Sequence, residues 1–590
     1  MADKRWAVSR RSMIRGTMAM GVATAGGLSA GALRPANAAA EAGPRVAVLG
    51  GGVAGLTAAH ELAERGFQVT VYERRALGGK ARSIPVPDTG SDGRPDLPGE
   101  HGFRFFPGFY QHIPDTMRRI PFAGNADGVR GNLLAVPEAR FARRDGDDFR
   151  VLPLGPSART APTPEAFLET VGAAISTSLK LPASEGLWFA NRLLVFNTSS
   201  DARRLGQWEG MAWHDFVGAR RRSHEFRALL SRALTSIMVA AKESVASVRT
   251  IGTMGEQFLG NPFEVGNDGA LDRVLNGPTN AAWIDPWTQH LRALGVRFAL
   301  GAEVRGLEVR DRRIAAARIV DADGARTVEA DYFVVALPAE LARTLWSPDI
   351  LELQPELAAM DRLVVDWMTG IQFYLRRPSD ISRGHTAYID APWSLTSISQ
   401  NQHWSRKLPQ YGDGTVQDCL SVDISDWNTP GVLYGKPAKE CTHEEIAREV
   451  WAQMIEHLDD TGESLRDADL HSWFLDPAIT WQAAQGRNAN TDPLLINTAG
   501  SWQCRPEAHA AIENLFLAGD YVRTNVDLAT MEGANESARA AVNALLDVAG
   551  SNAARCRMFE MYRAVELEPL RQIDADRYAA GQPNLFDRAV

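Results

Sequence analysis

Cysteine is scarce in this sequence, with four residues in 590: Cys419, Cys441, Cys504 and Cys556. They lie far apart and form no C-x-x-C pair, which excludes a disulfide framework and a zinc ribbon. The 12 histidines include no H-E-x-x-H motif, so the sequence predicts no catalytic metal. The formal net charge of −9 argues against a nucleic-acid-binding protein, which usually carries a basic face.

Long apolar runs are also missing: beyond the first forty residues no stretch reaches the roughly 18 residues that would cross a bilayer. Those first forty contain Ser9-Arg10-Arg11, a mildly apolar run over 16–33, and Ala36-Asn37-Ala38. This order predicts a twin-arginine export signal at 1–40, with small residues at the cleavage site, and a periplasmic or extracellular protein. The alternative is an N-terminal helix or anchor that is never removed.

Glycines at three fixed positions follow a short apolar run, Arg45–Leu49, which is typical of a buried parallel strand. Gly50 permits a tight turn, Gly52 lets the backbone approach a pyrophosphate, and Gly55 permits close packing of a helix on the strand. A helix and a second strand follow, and Glu73 at the tip of that strand is placed to bind a ribose hydroxyl pair. The pattern predicts a dinucleotide-binding βαβ unit.

A second glycine pair, Gly78-Gly79, comes soon after this acid. A pair at this place is a feature of FAD-binding flavoproteins, and it therefore favours FAD over NAD.

Near the other end of the chain, an apolar run over 514–517 ends in Ala518-Gly519-Asp520, and a helix is predicted from Met531. An aspartate after a strand can hold ribityl hydroxyls, and a helix N-terminus can face the flavin pyrimidine edge. By itself this segment is better explained as one more βα unit of a doubly wound sheet.

Taken together, these motifs resemble the FAD-dependent amine oxidase and carotenoid desaturase superfamily, and within it plant-type phytoene desaturases and related isoprenoid-acting flavoproteins. The resemblance rests on Val46–Ser83, Gly99–Phe106, Ala330–Pro338 and Asn514–Ala541, with a looser match over 295–304. It implies a bound FAD. The residues implied to contact FAD are Gly50, Gly52, Val53, Ala54, Gly55, Glu73, Arg74, Gly79, Lys80, Val304, Gly519, Asp520, Met531 and Ala534.

Two departures from the amine oxidases bear on the substrate. Lys80 stands where amine oxidases usually have arginine, as in many plant-type desaturases. The segment Val526–Met531, where amine oxidases place one wall of an aromatic cage, contains no aromatic residue. Both departures favour an apolar substrate over an amine.

The resemblance implies an α/β fold, in which a Rossmann-like FAD-binding domain of the glutathione-reductase type is interleaved with a mixed α+β substrate domain. We expect the FAD domain at 44–120, 262–345 and 481–550, and the substrate domain at 121–261 and 346–480. A helical tail is expected at 551–590.

Aromatic and apolar residues in the substrate half suggest a hydrophobic small-molecule substrate. Tryptophans either line an apolar tunnel or belong to the core, and for any single one core is the commoner place. The segment Leu181–Thr198 is amphipathic, and it either makes peripheral membrane contact or packs as an ordinary helix. The tryptophans in question are Trp188, Trp208, Trp213, Trp283, Trp287, Trp367, Trp393, Trp404 and Trp481.

Three residues are candidates for catalysis beside the flavin. His101 and Arg104 lie in a glycine- and aromatic-rich loop that the family places against the isoalloxazine ring; His101 is a candidate acid or base, and Arg104 a cation for the reduced flavin. Lys242, in an apolar stretch predicted to be helical, is a candidate to hold a water near N5, as in some family members. The alternatives are polar residues facing phosphates or solvent, and an ordinary ion pair.

Three functions remain open from the sequence. The first is a desaturase or dehydrogenase that takes hydride from an isoprenoid or polyene substrate. The second is an exported amine or amino-acid oxidase that produces hydrogen peroxide. The third is a flavoprotein that isomerises a lipid double bond, or only binds the lipid. The sequence sets no oligomeric state.

Overall fold

The computed structural model describes residues 43–144, 146, 148–153, 163–239, 241–260, 266–267, 270–459, 464–509 and 511–587. The predicted export signal at 1–40 lies outside these residues.

The strands, in chain order, are β1 (Arg45–Leu49), β2 (Gln68–Glu73), β3 (Ser83–Pro85), β4 (Pro98–Glu100), β5 (Phe106–Pro107), β6 (Leu133–Ala135), β7 (Ala139–Ala142), β8 (Phe149–Val151), β9 (Asp272–Leu275), β10 (Arg297–Leu300), β11 (Glu303–Arg310), β12 (Arg313–Asp321), β13 (Gly324–Val328), β14 (Tyr332–Val335), β15 (Val364–Asp366), β16 (Thr369–Leu375), β17 (His385–Tyr388), β18 (Leu395–Ser399), β19 (Asp418–Ile424), β20 (Leu470–Leu475), β21 (Ile479–Gln482), β22 (Arg487–Asn490), β23 (Leu494–Ile496) and β24 (Leu515–Leu517).

The α-helices are α1 (Val53–Ala63), α2 (His112–Arg118), α3 (Pro164–Leu179), α4 (Ala183–Asn197), α5 (Asp201–Arg203), α6 (Trp213–Phe216), α7 (His224–Phe226), α8 (Leu234–Val239), α9 (Val248–Gly260), α10 (Asp285–Ala293), α11 (Ala339–Ala342), α12 (Pro348–Leu353), α13 (His443–Leu458), α14 (Met531–Val548) and α15 (Glu568–Ala579).

Five parallel strands form the first sheet, in the order β10-β2-β1-β14-β24. Val48 on β1 lies opposite Val71 and Val334, and all three side chains are fully buried, as expected for strands covered on both faces. The strand order reverses at β1, so the carboxyl ends of β1 and β14 face a crevice of the kind in which open α/β sheets bind ligands. The predicted α/β class is confirmed.

Helices α1 and α14 pack together over this sheet. A buried hydrogen bond joins them, in which the Asn535 side-chain amide donates to Thr57 Oγ1 at 2.9 Å. The N-terminal and C-terminal motifs, far apart in the chain, therefore belong to one layer.

A second sheet of seven strands has the order β20-β16-β19-β18-β17-β7-β8, with the single parallel pair β17–β7 among these strands. Leu420 and Val422 on β19 belong to the apolar cluster that includes Val450 and Met454 of α13. Since side chains alternate along a strand, Asp423 points to the opposite face. That face looks towards the first sheet's crevice.

Packing, rather than an exposed apolar face, explains α4. Phe189, Leu193 and Phe196 are buried in the cluster that also contains Trp213 and Ile251, so the packed-helix interpretation of this segment is confirmed. Among the described residues, no helix is both long and apolar enough to cross a membrane.

The C-terminal segment is only partly helical, so the prediction of a helical tail is wrong for its first part. Residues 551–564 contain no helix, and α15 follows only at Glu568. The extended part is held by contacts along its length, among them the Phe559 backbone N–H, which donates to His112 Nε2 at 3.0 Å. The segment thereby runs from α14 across the surface to α5.

Candidate active site

A cavity of about 1290 Å³ lies between the carboxyl end of the parallel sheet and the seven-stranded sheet. One end is formed by the glycine turn after β1 and by the start of α14. The other end is formed by apolar side chains from the helices of the substrate half. The two ends form one continuous space.

The glycine turn has the geometry predicted for a phosphate site. Gly50 has a φ of +114°, and a Cβ there would collide with the Ala336 carbonyl oxygen. A Cβ at Gly55 would collide with the Gly50 carbonyl oxygen, so Gly55 acts by packing and does not itself line the cavity. Gly52 is the N-cap of α1 and offers no side chain to its backbone N–H groups, which leaves them for an anion.

The Glu73 carboxylate lies beside this turn and lines the cavity. It accepts hydrogen bonds from the backbone N–H groups of Gly51 and Arg75, each at 2.8 Å. The second glycine pair docks on the same turn, because the Gly78 N–H donates to the Gly51 carbonyl at 2.8 Å. The acid is therefore fixed at the tip of β2, where a ribose would lie.

The second half of the cradle comes from β24 and α14. Gly519 has a φ of +145°, and Asp520 follows it on the cavity wall. Thr530 caps α14 by accepting from the Gly533 N–H at 3.1 Å, and Met531 and Ala534 in the first turn line the cavity. Apart from Gly55, every residue predicted to contact the cofactor lines this cavity: Gly50, Gly52, Val53, Ala54, Glu73, Arg74, Gly79, Lys80, Val304, Gly519, Asp520, Met531 and Ala534.

Two acids that the sequence motifs did not indicate hold the basic residues of the cradle. Arg74 lies 3.5 Å from Asp492, and Lys80 Nζ lies 3.8 Å from Glu340 and donates to the Pro493 carbonyl. Burial raises the pKa of Glu340, and the Lys80 charge opposes that rise. No local motif marks either acid.

The loop at 101–105 crosses the cavity between the two sheets, and His101 and Arg104 both line it, as predicted. His101 Nδ1 is paired with the buried Asp476 carboxylate. Arg104 Nε lies 3.5 Å from Glu100, and its Nη2 donates to the Lys80 carbonyl at 3.2 Å. Both residues are thus fixed beside the cofactor end.

The expectation for Lys242 is wrong. Helix α8 ends at Val239, and Lys242 lies in a turn before α9, where it is exposed and does not line the cavity. The backbone closes a turn here, in which the Lys242 carbonyl accepts from the Ala246 N–H at 2.9 Å and the Glu243 carbonyl accepts from the His214 N–H at 2.9 Å.

The far end of the cavity is apolar. Of the nine tryptophans considered from the sequence, Trp213 alone lines the cavity, so core packing is confirmed for buried ones such as Trp208 and Trp283. Helices α3, α4, α8 and α9 supply most of the wall. The side chains that form it include Phe141, Phe149, Val171, Ile175, Leu179, Phe189, Leu193, Leu229, Leu230, Ile237, Ile251, Met254, Phe258, Met368 and Leu494.

Between the two ends lies a polar group that the sequence motifs missed. Asp423 on β19, His385 on β17 and Asp272 on β9 all line the cavity beneath the loop at 101–105. His385 Nδ1 lies 2.5 Å from the Asp272 carboxylate. These residues come from three distant strands, so no spacing in the sequence could have joined them.

A separate cluster of His60, Glu64 and His290 has the composition of a metal site. However, Trp287 Nε1–H donates to His60 Nδ1 at 3.1 Å, which leaves the proton of a neutral ring on Nε2, 3.0 Å from Glu64. A protonated nitrogen cannot bind a metal, and Arg119 also pairs with Glu64. The cluster is explained as a hydrogen-bond chain.

The parallel sheet, the two glycine turns and the acid after β2 define a dinucleotide-binding oxidoreductase, and the second helix N-terminus and the attached apolar chamber define it as a flavoprotein. The sequence profile of the family described as "Flavin containing amine oxidoreductase" matches residues 53–546. The chain belongs to this family, and it is an FAD-dependent oxidoreductase.

Relatives at low identity are carotenoid enzymes. The chain is 23% identical to 15-cis-phytoene desaturase of Synechococcus elongatus, over 85% of this chain and 96% of the relative. It is 26% identical to carotenoid phi-ring synthase of Streptomyces griseus, over 85% of this chain and 88% of the relative.

Solved structures of amine oxidases share the fold. Putrescine oxidase bound to putrescine superposes with a TM-score of 0.55 at 13% identity, covering 86% of this chain and 99% of that one. Cyclohexylamine oxidase from Brevibacterium oxydans gives a TM-score of 0.54 at 14% identity, with the same coverage of 86% and 99%. These identities establish the fold alone.

Proposed function

We propose that this protein is a desaturase or dehydrogenase that removes hydride from a hydrophobic substrate, an isoprenoid or polyene, at its FAD. The observation that carries the proposal is the apolar chamber, which opens directly into the FAD cradle. Its helical walls match a long hydrocarbon rather than a small cation. The relatives named as carotenoid enzymes support the same substrate class.

Bound FAD supplies a two-electron acceptor for hydride. The chain's own residues would position the substrate and exclude water. Val171, Ile175 and Leu179 line the cavity from one face of α3, at the spacing of successive helical turns. Met368 and Leu528 lie on its wall as well. The Arg104 guanidinium places a positive charge at the cofactor end of the cavity, where it would stabilise the negative charge of a reduced flavin.

The wall before α14 weighs against an amine substrate. Leu528, Ala529 and Thr530 line the cavity at the place where the sequence lacks the aromatic residue of an amine cage. A cationic amine would gain no cation–π contact from these side chains. An amine oxidase and a double-bond isomerase are the alternative functions, and one experiment distinguishes them from a desaturase.

The test is anaerobic flavin reduction in the purified, FAD-loaded protein. We expect 15-cis-phytoene or ζ-carotene, added in detergent micelles, to abolish the absorbance band of oxidised flavin and to gain a double bond. Putrescine and cyclohexylamine should leave that band unchanged. Reduction by either amine, with peroxide formed in air, would show an amine oxidase. Altered double bonds without any reduction would show an isomerase.

We also propose that the protein is exported by the twin-arginine route, which suits a protein that must bind its cofactor before it leaves the cytoplasm. The proposal rests on Ser9-Arg10-Arg11 and the weakly apolar run after it. Replacing both Arg10 and Arg11 by lysine should retain the protein inside the cell in unprocessed form. Normal export of that double variant would contradict the proposal.

A further inference from the structure

One face of the seven-stranded sheet forms the floor of the cavity, and its polar side chains follow from the strand register. Asp423 on β19 lies opposite Thr396 on β18, and Thr396 lies opposite Ala387 on β17. Because side chains alternate, His385 shares the face of Ala387 two residues away. All four residues line the cavity, so the sheet presents a carboxyl, a hydroxyl and an imidazole to the same space.

Three polar atoms on this floor have no hydrogen-bond partner within the described part of the chain: Asp423 Oδ1, Thr396 Oγ1 and His385 Nε2. Asp423 is only 8% exposed, so its unpartnered oxygen is withdrawn from bulk water. A buried polar atom without a partner is costly, and contact with a ligand or reacting group is one of the explanations for such an atom at a cavity.

Glu100 provides a contrast a short distance away. It is also buried, and burial raises its pKa. Its two oxygens, however, accept from Ser83 Oγ at 2.9 Å and from Thr279 Oγ1 at 2.8 Å. Both carboxylate oxygens of Glu100 are thus hydrogen-bonded, whereas Asp423 Oδ1 has no partner among the described residues.

The surroundings of Asp423 set its protonation near neutral pH. Burial raises the pKa of the Asp423 carboxyl to about 7, while the charges of Arg104, His101 and His385 and the backbone N–H of Phe103 limit the rise. The carboxyl therefore exchanges its proton under physiological conditions, which is what a proton acceptor in a turnover cycle requires.

We propose that Asp423 accepts the substrate proton during dehydrogenation, and that His385, oriented by Asp272, passes this proton on. His385 is suited to this role because its Nδ1 is held by Asp272, while its Nε2 has no partner among the described residues.

The inference rests on the proposed function, the dehydrogenation of a hydrophobic substrate. One substrate carbon loses a hydride, whose two electrons go to the bound FAD. The C–H bond on the neighbouring carbon breaks, its electron pair forms the new C=C bond, and its proton goes to the Asp423 carboxylate. The substrate loses two hydrogens and two electrons in total, and the Asp423 carboxylate becomes the neutral acid.

The first experiment observes the carboxyl without any substrate. Infrared difference spectra of the FAD-loaded protein between about pH 5 and about pH 9, which bracket the expected titration, should show the C=O band of a protonated acid that disappears near neutral pH. The band should be absent in Asp423→Asn and retained in Asp418→Asn. Asp418 is buried on the same strand but is bonded by Ser379 and Ser399. A titrating band that keeps its wild-type amplitude in Asp423→Asn would overturn the assignment.

The second experiment measures the first flavin reduction with 15-cis-phytoene at different pH values. In the wild type the rate should rise with pH to a plateau, with its midpoint near neutral. Asp423→Asn should be slower by about 100-fold or more and lose this pH dependence, since a positioned base contributes about that much. Should Asp423→Asn fail to fold, Asp423→Ala with added formate serves instead, and formate should restore the rate.

The results separate the two proposals. If neither polyene reduces the wild-type flavin, the proposed function fails, and the role of Asp423 in it fails as well. If the wild type is reduced and Asp423→Asn matches its rate and pH profile, the inference alone is wrong. His385→Gln should move the midpoint of the first reduction to higher pH, because the His385 charge no longer limits the pKa of Asp423. It should also slow repeated turnover with a soluble quinone, because His385 receives the proton after the first reduction. Unchanged repeated turnover would show that His385 does not pass the proton on.

Discussion

At the residue scale, the cofactor site depends on Gly50 and Gly55, because a Cβ at either position would collide with the neighbouring backbone. Gly55 does not touch the cavity, yet a Cβ there would meet the Gly50 carbonyl oxygen and force α1 away from β1. The N–H groups at the start of α1 would then be displaced from the phosphate position. The third glycine of the motif therefore acts on the cofactor through helix packing.

We expect Gly55→Ala to lower the affinity for FAD by at least about tenfold, equivalent to about 1.4 kcal/mol. The ratio of flavin absorbance to protein after gel filtration measures this. Gly210→Ala is the matched control, because its Cβ would meet its nearest neighbour at an ordinary 4.0 Å. Full FAD loading of Gly55→Ala would show that the turn tolerates the shift.

Asp423 also makes a prediction about stability that needs no substrate. An unfolded aspartate has a pKa of about 4, whereas the folded Asp423 has a pKa of about 7. Between these values the folded state holds a proton that the unfolded state has released, so stability falls as the pH rises. Asp423→Asn removes this loss. Its melting temperature relative to wild type should therefore increase from about pH 4 to about pH 7 and level off above; a constant difference would contradict the raised pKa.

At the element scale, α3 separates the apolar chamber from solvent. Its residue Gly172 is buried against Leu187 of α4, while Thr170, Val171 and Ala174 line the cavity. Thr163 caps its first turn by accepting from the Ala166 N–H at 3.2 Å. The helix is thus held along one side and presents the other side to the substrate.

Val171→Asp should leave FAD loading unchanged and lower kcat/KM for a polyene by about tenfold or more, since a carboxylate in an apolar wall costs more than 1.4 kcal/mol. Ala173→Asp is the control, because Ala173 is exposed on the same helix and does not line the cavity. Equal effects of the two substitutions would mean that α3 acts through its stability and not through contact with substrate.

At the scale of the whole molecule, the C-terminal segment ties the two halves together. Asp574 on α15 is 1% exposed and pairs with Arg203, whose Nε lies 2.9 Å from its carboxylate. The same carboxylate accepts from Ser200 Oγ at 3.0 Å and from the Asn584 amide at 2.8 Å. Since the segment starts at the end of α14, these bonds fix the FAD layer against the substrate half.

Asp574→Ala should lower the free energy of unfolding by about 3–5 kcal/mol, because it leaves the Arg203 charge buried and unpaired. Urea unfolding followed by circular dichroism measures the loss. Asp576→Ala on the same helix is the control, since Asp576 is exposed and should change stability by less than about 0.5 kcal/mol. A small effect of Asp574→Ala would show that the segment is not part of the cooperative unit.

The amino-acid sequence by itself determined the FAD cradle, because that site consists of local turns whose glycines and acids have fixed spacing. Gly50, Gly52 and Glu73 occupy the places that their pattern predicts, and Gly519 and Met531 complete the site from the far end of the chain. Only the tertiary structure showed that Asp272, His385 and Asp423 line one cavity and that Lys242 lies outside it. His385 and Asp423 lie on one face of the seven-stranded sheet, whereas Asp272 lies more than a hundred residues before His385, on β9 of the separate sheet β5-β9-β6. The three side chains line one cavity only in the folded chain. Residue spacing within a short segment predicts backbone turns, because a turn requires particular residues at fixed positions. Side chains that meet from distant strands have no fixed spacing in the sequence, so the sequence does not predict such a site.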